Sequence, residues 1–387
     1  MNSDDLQYIF CNIPYTEKNY YKNKIQYSPQ KMYMTYLLNS NINYNISGNN
    51  QRRKNIEIFR LDGTLITTIK NPIYPTNSKV DLSIIRNKVN TEKHLKKFGI
   101  NTPDSKIYNS KDKLVAKRET FKNGDRAMVI KPLNLSLGRG VVTNVKQDRF
   151  EYNWDLSRKL INYEDNDVIV QNFVKGFEVR ATIMEGNLVS LIARIPPYIV
   201  GDGISSINDL IDSKNIDREN CNYLKTMLIK KSPNILEYLS SQSKSLDSIP
   251  DEGEYILLNS VSNTSYGGET INITNLVSDE IKDVALNAVA AIPDLYTAGV
   301  DIMIKSFNDS KPYVIEINTF PFIMLALYPT YGKSVNPAKH YLHSIISKDQ
   351  LMNNYNDKYD IENESVYIRH YFKFLKRRIN LYTSYIK

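Results

Sequence analysis

Apolar residues along this chain follow two periods, one near two and one near 3.6, and the switches between them outline the elements. Asn55-Ile56-Glu57-Ile58-Phe59-Arg60-Leu61 and Thr64-Leu65-Ile66-Thr67-Thr68-Ile69 flank Asp62-Gly63, which predicts a hairpin closed by an Asp-Gly turn. Around Pro72 and Pro75 the chain reads as loop. From Asp81, residues Leu82, Ile85, Val89 and Leu95 fall near helical spacing, and Gly99 stands in the usual C-terminal position. Strands are predicted into Tyr108, over 127–131, 141–145, 167–174, 177–184 and 188–195, and from Tyr255 to Leu258. Helices are predicted from Ser205 to Asp212, Asp279 to Ile292, over 336–346, and, with a basic surface, from Tyr367 to Tyr382. Residues 216–254 read as helical with a Ser- and Lys-rich surface, an inserted segment rather than a site.

The most informative stretch is Ala298-Gly299-Val300-Asp301-Ile302-Met303-Ile304, a polar link from Lys305 to Pro312, and Tyr313-Val314-Ile315-Glu316-Ile317-Asn318. Two short β-prone runs joined by turn residues predict an antiparallel hairpin. Side chains alternate along a strand, so Glu316 and Asn318 share a face, and a suitable register brings Asp301 beside them. Two carboxylates and an amide oxygen suit Mg²⁺ carrying a nucleoside triphosphate, because Mg²⁺ prefers hard oxygen ligands. Taken alone, the same residues also fit the polar face of a half-exposed hairpin.

Further candidate chemistry lies upstream. Lys131 ends an apolar strand, where its ammonium can meet a phosphate, and Gly138-Arg139-Gly140 follows in a loop whose amides can point at phosphate oxygens. The glycine spacing is neither a Walker loop nor a dinucleotide fingerprint, and a hairpin without a ligand is the other reading. Lys88 and Lys93 lie on the 81–99 helix, where lysines are ordinarily only solvated. Glu178, Arg180 and Thr182 share a strand face; the first two can form a salt bridge, or read a ribose hydroxyl and a phosphate. Arg194 closes an apolar strand and needs a carboxylate or phosphate partner. Asn263 to Gly268, with its Gly-Gly pair, is a third polar loop that can contact an anion or a substrate.

Composition narrows the class. The chain has 387 residues, enough for two or three domains or one enzyme with subdomains. Its formal charge of +8 is spread along a Lys-, Asn-, Ile- and Tyr-rich sequence, which favours background composition over a nucleic-acid surface. Cys11 and Cys221 make neither a disulfide framework nor a Cys-based metal site, and four histidines carry no zinc signature. No signal peptide and no apolar run of about 18 residues is visible, so a cytoplasmic protein without a membrane partner is expected. The basic tail is expected to pack on the body or to mediate self-association.

The order of these blocks resembles the ATP-grasp ligases, in the branch of cyanophycin synthetase and the glutathione-synthetase half of the bifunctional glutathione enzymes. The resemblance covers roughly residues 83–345. Its most specific parts are Arg194-Ile195-Pro196-Pro197-Tyr198-Ile199-Val200-Gly201-Asp202-Gly203 with the following helix, Leu236-Glu237-Tyr238-Leu239 through Leu246-Asp247-Ser248-Ile249-Pro250, Asn263 to Gly268, and Ala298 to Asp301. It implies an α+β fold that holds the nucleotide between two subdomains, a lid at about 107–173 and a large subdomain at about 174–345. A short N-terminal region, 1–82, and a basic helical tail, 346–387, flank them. It also implies roles. Lys131 and Lys88 would contact ATP, Gly138, Arg139 and Gly140 would form the phosphate loop, and Gln171, Asn172, Phe173 and Val174 would meet the adenine through backbone groups. Glu178 would hold the ribose. Asp301, Glu316 and Asn318 would hold one or two Mg²⁺, with Mn²⁺ as an alternative. Arg180 and Arg194 would stabilise the transferring phosphate, and Asn263, Gly267 and Gly268 would lie near the acyl group and acceptor.

The implied reaction phosphorylates a substrate carboxylate with ATP and lets an amine displace the phosphate. No protein nucleophile is needed. The chain departs from the family at Asn134, Leu135 and Leu137, where Asp-Gly and a His are usual, and at Phe320-Pro321-Phe322, where a small residue and Pro-Gly are usual. The first change argues against cyanophycin's own substrates, and the second reshapes the acceptor side. Neither the Mur-ligase-like domain of cyanophycin synthetase nor the glutamate–cysteine ligase half has a counterpart in these residues. The expectation is a stand-alone ATP-dependent carboxylate–amine ligase of small-molecule substrates, an amino acid or peptide, in a small-peptide or natural-product pathway. A phosphotransferase on the same scaffold and a non-catalytic nucleotide-binding protein are the alternatives.

Overall fold

The computed structural model describes residues 1–48, 54–70, 83–85, 87–133, 139–159, 167–354 and 364–386. The predicted loop at Pro72 and Pro75, the helix start at Asp81 and Leu82, and Asn134, Leu135, Leu137 and Gly138 lie outside them.

Helix α1 (Ser3–Asn12) starts at a capping box, in which the Asn2 side chain accepts from the Asp5 amide and the Asp5 carboxylate accepts from the Asn2 amide. It buries Leu6 and Ile9 in the main core. Helix α2 (Pro29–Leu38) is followed by a three-stranded antiparallel sheet, β1 (Asn43–Ser47), β2 (Asn55–Phe59) and β3 (Leu65–Ile69). The predicted Asp-Gly hairpin is present: Arg60 N–H bonds Thr64 O at 2.8 Å and Gly63 takes φ +89°. Leu37, Ile56, Ile58 and Ile69 form a second core with Tyr341, Leu342 and Ile346 from far downstream. In the described part of 1–82, both helices and the sheet bury their apolar faces on the body.

Ser83 to Ile85 are helical. Asn87 caps α3 (Lys88–Lys97) by accepting from the amides of Val89 and Asn90, and Lys88 is the first residue of α3. The next six elements form one layer pair: β4 (Ser105–Tyr108), α4 (Lys113–Phe121), β5 (Met128–Pro132), β6 (Val142–Val145), α5 (Phe150–Arg158) and β7 (Val168–Asn172), with strand order β4-β7-β5-β6. Met128, Ile130, Val168 and Val170 pack with Phe121, Phe150 and Trp154. Strand alternation turns Val129, Lys131, Ile169 and Gln171 to the other face.

The body is a five-stranded sheet. Strands β8 (Phe177–Met184) and β9 (Asn187–Ile195) lead to β10 (Tyr198–Val200), α6 (Ile207–Glu219), α7 (Pro233–Ser240) and β11 (Tyr255–Leu257). Strand β12 (Glu269–Asn272), helix α8 (Asp279–Ala290), β13 (Ala298–Ile304) and β14 (Tyr313–Asn318) complete it, in the order β12-β9-β8-β13-β14. The helix expected through 216–254 is not continuous. It stops at Glu219, resumes only for α7, and is otherwise turns and irregular chain, because buried Arg218 and half-buried Asn215 bind backbone groups of Met227 and Ile229.

Helix α9 (Pro337–Asn353) runs through residue 346, and α10 (Glu364–Ile386) packs on the body. Arg378 on α10 donates to the carbonyls of Ala290, Ile292 and Leu295 and so satisfies the C-terminal end of α8. Among the described residues no helix is long and apolar enough to cross a membrane.

Candidate active site

The site grows from the register of the five-stranded sheet. Glu178 lies opposite Arg194, Arg180 opposite Asp301, Asp301 opposite Glu316, and Gly299 opposite Asn318. Cross-strand partners share a face, so these polar side chains project together. The intervening Val179, Ala181, Ala193, Val300 and Ile302 turn the other way and pack with Ile281, Ala285 and Ala288 of α8. A one-residue slip would bury the charges in that core.

The side chains are connected. Arg180 Nε stands 2.6 Å from Asp301 Oδ1, and its Nη2 donates to Oδ2 at 3.0 Å. Asn318 Nδ2 reaches the same Oδ2 at 3.5 Å. Arg194 Nη1 donates to Glu178 Oε1 at 2.5 Å and lies 3.9 Å from Asp301 Oδ1. Burial pushes the Glu178 carboxyl up, and the Arg194 guanidinium opposes that shift. Gly299 makes the arrangement feasible, since a Cβ there would clash with Arg180 Nη1. Glycine inside the strand Ala298-Gly299-Val300 was the available signal for this close approach, and the sequence reading did not use it.

Two lysines approach the sheet from other elements. Lys88, at the start of α3, lies 3.7 Å from Glu316 Oε1. Lys131 of β5 is buried and donates to Gln171 Oε1 at 2.9 Å, while Gln171 Nε2 donates to Ser105 Oγ at 2.8 Å. Burial above all, and then nearby Lys88, lower the Lys131 ammonium to about 8, with Glu316 and Glu92 opposing. Lys131 thus feels both groups across the space between the two sheets.

Other expected positions sit differently. The backbone of Gln171 is paired with β4 on one side and β5 on the other, and its side chain holds Lys131. The amides of Asn172 and Phe173 already bond Asp104 O and Ala127 O. Val174 follows in the connection to β8. Arg139 is exposed, whereas Gly140 is packed so that a Cβ would lie 2.7 Å from Ser157 O. Asn263 accepts from the Ser265 amide, a capping contact within its own turn. A Cβ at Gly267 would lie 2.5 Å from Ile229 Cγ1, and one at Gly268 2.7 Å from Ile195 O. Packing explains this glycine pair, which borders the strand carrying Arg194.

The residues fit a magnesium nucleotide. Asp301, Glu316 and Asn318 offer hard oxygens from paired positions of one hairpin, with cations on both sides. Among the described residues no group of three or more His, Cys, Asp or Glu is set to hold a metal unaided, so phosphate oxygens would have to complete the coordination.

Residues 85–321 match the ATP-grasp domain family. The chain belongs to that family. The ATP-grasp chain is 31% identical over 256 residues to the glutathione biosynthesis bifunctional protein of Desulfotalea psychrophila, covering 65% of this chain and 32% of that protein. It is 30% identical over 266 residues to the protein of the same name from Pasteurella multocida, covering 67% and 35%. The chain therefore spans about a third of the length of these relatives. The crystal structure of a bifunctional glutathione synthetase from Pasteurella multocida superposes with a TM-score of 0.53 at 25% identity, over 79% of this chain and 42% of that one.

Proposed function

We propose that this chain joins a small-molecule carboxylate to an amine with ATP, passing through an acyl-phosphate, in small-peptide or natural-product synthesis. The observation that carries the reading is the register of β8, β13 and β14, which sets Arg180, Asp301, Glu316 and Asn318 side by side beneath Lys88 and Lys131. The β4–β7 layer acts as the lid, and Lys131 and Lys88 bind phosphate oxygens. Gln171 orients Lys131 through its side-chain oxygen. Asn172 to Val174 meet the adenine with the backbone groups that the fold leaves available, and Glu178 takes the ribose hydroxyls. Asp301, Glu316 and Asn318 hold the magnesium, which when bound neutralises phosphate charge and orients the triphosphate. Arg180 and Arg194 balance the carboxylates and stabilise charge on the phosphoryl group as it moves to the substrate carboxylate. The turn Asn263–Gly268 borders the place where the amine enters.

Mass spectrometry of Mg·ATP reactions with pooled amino acids and short peptides tests this. The expected product is a condensation of acid and amine lighter by one water, formed with ADP and phosphate in equal amounts. Glu316→Gln should abolish that turnover and leave the melting temperature close to wild type. Undiminished turnover in Glu316→Gln would sink the mechanism, and a stable phosphorylated acid without amide would favour a phosphotransferase.

A further inference from the structure

Behind the site lies an ion cluster that the chemistry above does not use. Glu269, first residue of β12, is fully buried. Its Oε1 lies 3.3 Å from Lys214, 3.6 Å from Arg218 and 3.8 Å from Lys18, and its Oε2 accepts from Tyr198 OH at 3.0 Å. Lys18 also pairs with Asp217. Such a cluster is costly to bury, and a well-packed apolar group is often as stable in its place. Its position gives it another use. Glu269 pairs with Ile195 and Thr270 with Arg194, so the cluster lies one residue from Arg194 and on the opposite face of the sheet. It therefore cannot touch a ligand held by Arg194.

It does touch the turn beside that ligand. Arg218 is fully buried and donates to Met227 O at 2.6 and 3.0 Å and, more loosely, to Gly268 O at 3.4 Å. Asn215, one helical turn earlier, exchanges two hydrogen bonds with the backbone of Ile229 at 2.8 and 2.9 Å. The Ile229 side chain then closes over Gly267, where a Cβ would lie 2.5 Å from Cγ1. We infer that Arg218, anchored by Glu269 and assisted by Asn215, is a positioning residue that holds the Asn263–Gly268 turn in place for the incoming amine. The inference rests on the ligase reading for the identity of the second substrate. The planar guanidinium is what the role requires, because it serves two carbonyls while facing a carboxylate.

Arg218→Lys keeps a cation near Glu269 and loses the fork. In the full chain, three quantities decide the matter: hydrogen exchange at amides 263–270 against 128–132, the dissociation constant of Mg·ADP, and amide formation from pooled amino acids and short peptides. The expected result is exchange at the turn faster by about tenfold and a kcat for amide formation lower by about tenfold, since small misplacements of a reactant are costly. Mg·ADP affinity and the KM for ATP should stay within about twofold of wild type. Asn215→Ser, which spares the ion cluster, should shift the same quantities in the same direction and covers the case in which Arg218→Lys folds poorly. Unchanged exchange at the turn in both variants overturns the inference, as does a loss of Mg·ADP affinity in step with amide formation. If the wild-type chain forms no amide, the ligase reading fails by itself; exchange and Mg·ADP binding still decide whether Arg218 holds the turn.

Discussion

Replacing Lys131 by Met should make the protein more stable and a worse nucleotide binder. Lys131 is 7% exposed, and its ammonium is lowered from 10.5 to about 8, chiefly by burial. Each pH unit between those values corresponds to about 1.4 kcal/mol, so holding the charge in place costs the folded state about 3 kcal/mol at neutral pH. The sign follows from proton counts. Below pH 8 both folded and unfolded chains carry the proton, and the full cost is present. Between pH 8 and 10.5 only the unfolded chain binds it, so stability rises with pH, and above that range the cost is gone. Met removes the cost but leaves Gln171 Oε1 without its donor, a loss of about 1–2 kcal/mol. A net gain of about 1–2 kcal/mol at pH 7 remains, and the part of the wild-type stability rise between pH 8 and 10.5 that Lys131 causes should vanish. Losing a buried cation from a phosphate site costs about 2 kcal/mol or more, or about a thirtyfold rise in the Kd for Mg·ATP. Calorimetric titration and thermal unfolding at pH 7 and pH 9.5 measure both. Bound phosphate should also draw the Lys131 proton back, giving proton uptake near pH 8.5 that appears as buffer-dependent heat. A Kd within about twofold of wild type, together with a lower melting temperature at pH 7, would refute the reasoning.

Other expectations concern glycines at close contacts. Gly299→Ala should cost about 1–3 kcal/mol and push Arg180 off Asp301, lowering turnover; unfolding curves, kcat and a structure of the variant would show it, and retained turnover would contradict it. Gly186, at φ +76°, faces Phe374 of α10, whose Cγ would lie 2.5 Å from an added Cβ, so Gly186→Ala should destabilise the chain by about 2 kcal/mol. Adding Phe374→Ala to that variant should recover part of the loss, seen as non-additivity in a double-mutant cycle; strict additivity would exclude the contact as the cause.

Much of the site was legible because strand chemistry is local. Turn residues between two β-prone runs announced the 298–318 hairpin, and alternation set Glu316 and Asn318 on one face. Strand position also singled out Lys131, Glu178 and Arg194, which bond Gln171 and each other, and the long ordered resemblance supplied the roles expected of them. Other features depend on contacts that linear order does not show. Helical spacing did not show that the Asn87 side chain captures the amides of Val89 and Asn90 and starts α3 at Lys88. Nor did linear order show that Gln171 is paired on both sides of β7 and that its side chain holds Lys131.

By itself the sequence determined the strands of the body and several of its helices, where the carboxylates, amides and cations lie along them, and the family to which their order belongs. Each of these depends on neighbours within a few positions or on linear order. Tertiary structure decided the register that opposes Asp301 to Glu316 and Arg180, the anchoring of α10 on the end of α8, and the meeting of Lys18, Lys214, Arg218 and Glu269. Those contacts join residues up to hundreds of positions apart. A charge acquires its partner only when burial removes water and leaves the nearest opposite charge to replace it.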